Sequence, residues 1–159
     1  MAEVTSLVAA SMNIRDSYVM EVEIDMAEAA TAKGSALAAA DTINAFDIPS
    51  GMAVLFAGLE CTEAPEGGTG TILDLGVKSG DTDAFVDGFD FDNASEGEYA
   101  DLTNTGAPIL FKDVGTIDLL IQAATTVPTS GKVRVFAYVQ DSKGVGSMEP
   151  DVAVRDYLA

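Results

Sequence analysis

Over residues 18–26 apolar and charged side chains alternate: Tyr18, Met20, Val22, Ile24 and Met26 are interleaved with Val19, Glu21, Glu23 and Asp25. Successive side chains on a strand point to opposite faces, so this period of two predicts a half-exposed strand with one apolar row inward and three carboxylates outward. The alternation returns over 71–77, with Leu73, Leu75 and Val77 on one face, and over 116–124, with Ile117, Leu119, Ile121 and Ala123. Over 132–139 it sets Val133, Val135, Ala137 and Val139 against Lys132, Arg134, Phe136 and Tyr138. Val127-Pro128-Thr129-Ser130-Gly131 turns the chain between these last two strands, which are expected to form a hairpin or lie side by side. Residues 52–61 are nearly unbroken in apolar side chains after the Pro49-Ser50-Gly51 turn, the pattern of a strand covered on both faces. A short strand is expected over 109–111.

The alanine-rich stretch 27–40 is ambiguous. Alanine favours helix, but Gly34 interrupts the run and no large apolar residues recur at helical spacing. It reads as a loop leading into a strand over 41–48, with a short helix as the competing reading. Six to eight strands separated by turn signals, with little helix, predict an all-β fold: a single-domain β-sandwich or jelly-roll-like barrel. The domain is expected over 18–140. Residues 1–17 and 141–159 lack a clear period and read as N- and C-terminal arms.

Charge narrows the function. Twenty-six Asp and Glu oppose eight Lys and Arg, for a formal charge of -18. Nucleic-acid affinity comes largely from cationic side chains displacing counterions from phosphates, so DNA or RNA is not an expected partner. The chain has no histidine, which removes the side chain most used for proton transfer near neutrality, together with every Ser-His-Asp or Cys-His arrangement. Paired carboxylates serve glycosidases, but with no tryptophan there is no indole platform for sugar stacking, and no enzymatic activity is expected. Gly67, Gly68 and Gly70, and the stretch from Gly76 to Gly80, fail the phosphate-loop pattern and read as turns.

From 60 to 101 a dozen acids face the single base Lys78. Asp81, Asp83, Asp87, Asp90 and Asp92 offer oxygen ligands of the kind calcium prefers, yet they lack the glycine and terminal glutamate of an EF-hand loop. The segment reads as a solvated acidic loop, with no metal and no cofactor assigned. Cys61, the only cysteine, lies in the apolar run beside Glu60 and Glu63, where burial and neighbouring anions disfavour the thiolate; it reads as an inert core residue. Glu3 stands where a secretory signal carries basic residues, and the apolar runs fall far short of the ~20 residues that span a bilayer. A soluble protein without a membrane partner is expected.

Three stretches carry a resemblance. The first is Asp41-Thr42-Ile43-Asn44-Ala45-Phe46-Asp47-Ile48-Pro49-Ser50-Gly51 with the apolar strand that follows it. The second is Thr71-Ile72-Leu73-Asp74-Leu75-Gly76 with the Asp81, Asp83 and Asp87 cluster around Phe85 and Val86. The third is Gly131-Lys132-Val133-Arg134-Val135-Phe136-Ala137-Tyr138-Val139. Together they resemble the small decoration, or cement, proteins of tailed-bacteriophage heads, over roughly residues 18–140. The resemblance implies a β-sandwich that binds the major capsid protein on the outer surface of the virion capsid, as a homotrimer at threefold or quasi-threefold positions. A head fibre or knob component, and a non-viral carbohydrate- or surface-binding β module, are the competing readings. Candidate contacts with the capsid or a neighbouring subunit are Lys132, Arg134, Phe136 and Tyr138, where the scarce bases would meet a partner's acids. Leu7 and Val8 in one arm and Tyr157 and Leu158 in the other are candidate apolar contacts.

Overall fold

A computed structural model describes residues 17–101 and 107–142. Its strands are β1 (Tyr18–Asp25), β2 (Thr42–Ile48), β3 (Met52–Glu66), β4 (Ile72–Val77), β5 (Val86–Asp90), β6 (Ile109–Leu110), β7 (Gly115–Ala123) and β8 (Ser130–Asp141). They form two four-stranded sheets, ordered β1-β8-β3-β6 and β2-β7-β4-β5. The pairings are antiparallel and nested: β1 with β8, β2 with β7, β3 with β6, β4 with β5. A long hairpin rolled up on itself gives this order, and the fold is an all-β jelly-roll sandwich.

Nesting corrects the expectation that β7 and β8 are neighbours. They lie in opposite sheets, and the Val127-Pro128 turn carries the chain across the sandwich; β7 instead pairs with β2 and β4, and β8 with β1 and β3. The rows facing inward are those the alternation marks: Ile24, Val54, Leu59, Val133, Val135 and Val139 from one sheet meet Phe46, Leu73, Leu75, Ile117, Leu119 and Ile121 from the other in one apolar core. Cys61 is buried in that core, and burial raises its pKa above the ordinary thiol value, with Glu98, Glu96 and Glu60 adding to the effect and a hydrogen bond with the Glu63 backbone opposing it.

Two further expectations change. The short helix, not the loop, forms after β1: α1 spans Met26–Lys33. The Asp25 carboxylate caps it by accepting from the Ala27 and Glu28 N–H groups at 2.8 and 3.2 Å. Gly34, at φ 77°, closes it by donating its N–H to the Ala30 and Thr31 carbonyls. Met26 is its one buried residue, so end capping and alanine propensity hold it rather than an apolar stripe. The 81–92 segment, expected as a solvated loop, contains β5 and contributes Phe85, Val86, Phe89 and Phe91 to the core while Asp81, Asp87 and Asp90 stay exposed.

Strand β3 departs from full coverage on both faces. Val54, Ala57, Leu59 and Cys61 are buried inward, whereas Phe56 and Glu60 on the outer side are half-buried. A two-layer sandwich covers only the inner face of each sheet. What shields the outer face of β3 is its own aromatic neighbours.

Candidate functional site

The outer face of the β1-β8-β3-β6 sheet divides into an apolar half and a charged half, and register fixes both. In the apolar half Val19, Tyr138 and Phe56 lie in one cross-strand row, with Glu21, Phe136 and Gly58 in the next. A bulge at Leu55 returns Phe56 to the outer side, since Val54 pairs with Val139 in the core and Phe56 pairs with Tyr138. Phe56 and Tyr138 stack with centroids 4.5 Å apart, and Phe136 meets Phe56 and Tyr99 edge-on at 6.5 and 6.2 Å. Tyr99 reaches this face through a β-bridge to Glu60. Val19, Tyr99 and Tyr138 are 45, 56 and 39% exposed, so the cluster is open to solvent on one side. A shallow groove of about 230 Å³ runs between Val19, Glu21, Tyr99, Arg134, Phe136 and Tyr138.

In the charged half, Glu23, Arg134 and Glu60 form one row and Asp25, Lys132 and Glu63 the next. Arg134 is held by Glu60 and by Glu21 at 3.3 Å, and donates to the Tyr99 hydroxyl at 3.2 Å. Lys132 sits 3.1 Å from Glu63 and 3.9 Å from Asp25. Glu60 and Glu63 respectively push the Arg134 and Lys132 pKa values up, so both cations stay charged. Each of the two bases is thus flanked by carboxylates of its own chain.

The four candidates on β8 therefore do share one surface. Phe56, Tyr99 and Val19 belong with them, and no sequence signal groups these three with the β8 row. Phe56 sits in an apolar run whose bulge no periodicity reveals, and Tyr99 arrives from a loop. Leu7, Val8, Tyr157 and Leu158 fall outside the described residues.

The outer face of the β2-β7-β4-β5 sheet is different in kind. Its Asp74 and Asp118 are buried although both point away from the core. Asp74 accepts the Gly88 N–H at 2.8 Å; Asp118 accepts the Thr116 hydroxyl at 3.1 Å through Oδ2, while its buried Oδ1 has no hydrogen-bond partner among the described residues. A chamber of about 30 Å³ beside Asp118 is lined by Thr42, Gly76, Lys78, Thr82 and Leu120, room for one water molecule. Burial raises both pKa values. The Gly88 N–H partly offsets this at Asp74, where Asp87 and Asp83 add to the rise; Thr116 and Lys78 offset it at Asp118, where Asp47 adds to it.

A carboxyl whose folded pKa lies above its unfolded value binds its proton more tightly in the native state. Its contribution favours folding at low pH and is lost as pH rises from about 4 through the raised folded value. Asp118→Asn removes the buried charge and keeps the shape. It is expected to add on the order of 1 kcal/mol of stability at about pH 7.5, read as a higher thermal midpoint, with the gain shrinking toward pH 4. Thermal melts of both proteins across that range measure it, and a gain independent of pH would show that Asp118 is not buried as an anion at neutrality.

Among the described residues no group of three or more Cys, Asp or Glu is arranged to hold a metal ion, and no helix is long and apolar enough to cross a membrane. No family model matches the sequence, and no curated protein matches it. Solved structures do match in fold. A chain of the capsid of Ralstonia phage GP4 is similar with a TM-score of 0.58 at 15% identity, over 81% of this chain and 86% of that one. A chain of the Cyanophage Pam1 capsid asymmetric unit is similar with a TM-score of 0.54 at 16% identity, over 86% of this chain and 94% of that one.

Proposed function

We propose that this protein is a structural component of a bacteriophage virion that decorates the outer capsid surface and stabilises the shell, with no catalytic step. The observation that carries the reading is the fold likeness to chains from two phage capsids, which extends over most of each chain. The charge supports the outer location: a chain at -18 is repelled by packaged DNA on the inner wall, whereas outside it salt screens it within about 10 Å. In this reading the β domain of 18–140 sits on the major capsid protein as a homotrimer. Like-charged copies gain cohesion from apolar and sheet-mediated contacts, including Leu7, Val8, Tyr157 and Leu158 of the arms at 1–17 and 141–159. Phage particles assembled without this chain are expected to lose a layer of outer density in cryo-EM and to become more sensitive to heat and osmotic shock. Unchanged density and unchanged resistance would refute the role.

A further inference from the structure

We propose that the outer face of β1, β8 and β3 is a docking surface for a segment of a different protein that presents an apolar or aromatic side chain flanked by Lys or Arg. On the virion reading above, on which its biological setting rests, that segment belongs to the shell beneath. The apolar half supplies the seat, a groove bounded by Val19, Phe136, Tyr138 and Tyr99 with Phe56 stacked behind Tyr138. Exposed aromatic clusters of this kind are the common anchors of protein interfaces.

The charged half sets the sign of the partner. Carboxylates of Glu21, Glu23, Asp25, Glu60 and Glu63 outnumber the cations of Lys132 and Arg134, and both cations are engaged with those acids. A partner bringing acids to this rim would meet an uncompensated excess of negative charge; one bringing Lys or Arg would be drawn to it. The same local argument disfavours a second copy on this face, because two identical faces would set Glu21, Glu23 and Asp25 against their own counterparts; the trimer contacts of the reading above fall to other surfaces.

The test uses the full-length chain and two ligands. The first is a capped peptide Arg-Leu-Trp-Leu-Arg with its Glu-Leu-Trp-Leu-Glu counterpart, each titrated into isotope-labelled protein and followed by NMR. Resonances of Val19, Phe56, Phe136 and Tyr138 are expected to shift with the Arg peptide and not with the Glu peptide. Equal response to both, or to neither, overturns the proposal. The second ligand is phage shells lacking this chain, to which wild-type protein is expected to bind less tightly as salt rises from about 0.05 to about 0.5 M. Tyr138→Ser and Glu23→Lys should each weaken that binding about tenfold. Val19→Lys gives a further disruption outside the stacked ring pair should Tyr138→Ser melt early. Shell binding that ignores all three substitutions overturns this docking face and leaves the virion role standing. Shells that never bind wild-type protein overturn the virion role, and the peptide titration then decides the surface alone.

Discussion

Alanine at position 76 is expected to destabilise the protein by about 3 kcal/mol or more, the range of the most damaging single substitutions. Gly76 lies on β4 directly opposite Asp118 of β7, on the outer side of the sheet. The chain leaving β4 folds straight back over it. The Val77 N–H donates to the Asp81 carbonyl at 2.7 Å, the Gly80 N–H to the Val77 carbonyl at 3.0 Å, and the Phe85 N–H to the Leu75 carbonyl at 2.9 Å. A Cβ added at Gly76 would overlap the Asp81 carbonyl oxygen and the Thr82 backbone. Backbone cannot rotate aside as a side-chain tip does, so the returning loop must lift. Lifting it strains the Val77 to Asp81 bond and admits solvent to Asp118. Gly97→Ala is the comparison: Gly97 needs φ 83° but has open space around it, so its cost is conformational strain alone, about 1 kcal/mol. Urea unfolding of the two variants separates the effects. A Gly76→Ala midpoint no lower than that of Gly97→Ala would mean that the loop is not clamped against the strand.

Gly76 also illustrates where sequence reasoning stops. The alternation over 71–77 and 116–124 correctly turns Leu73, Leu75, Ile117, Leu119 and Ile121 inward and leaves Asp74 and Asp118 on the other face. Period two cannot say whether that other face meets water or a returning loop, because the covering chain is distant in sequence: Gly88 reaches Asp74 from 14 positions away. The ion pairs of Arg134 are more remote still, since Glu21 is 113 positions distant and becomes a neighbour only when the first and last strands of the roll pair. Two scarce bases in a row of a strand look available for a partner until that pairing is known. The helix was legible in principle. Asp25 before it, Lys33 in its last turn and Gly34 after it are stop and start signals that weigh more than the missing apolar stripe. The split of β7 and β8 between sheets was not, because a Pro-Gly turn between two strands fits a hairpin and a crossover equally well by local chemistry.

The acidic segment gives the other large effect. Phe85→Ala is expected to cost about 3–5 kcal/mol, a substantial share of the 5–15 kcal/mol that holds a typical domain together. Phe85 is fully buried although Asp81, Asp83 and Asp87 surround it in sequence; a hydrogen bond with the Asp83 side chain raises the Asp81 pKa, and the negative charges of Asp83 and Asp87 add to the rise. The excess of negative charge in this stretch therefore favours detachment, while Phe85 at its start and Phe91 at its end, both buried without residual exposure, oppose it. Removing one anchor leaves a cavity in the core and releases the repulsion at the same time. The expected signature is twofold: a lower urea midpoint, and faster limited proteolysis confined to residues 78–92. Phe85→Leu, which refills most of the volume, should recover more than half of the loss. The docking face lies on the opposite sheet, so the folded fraction of Phe85→Ala should still respond to the Arg-flanked peptide. A variant with wild-type midpoint and wild-type cleavage would mean that the acidic segment is held by something other than its buried rings.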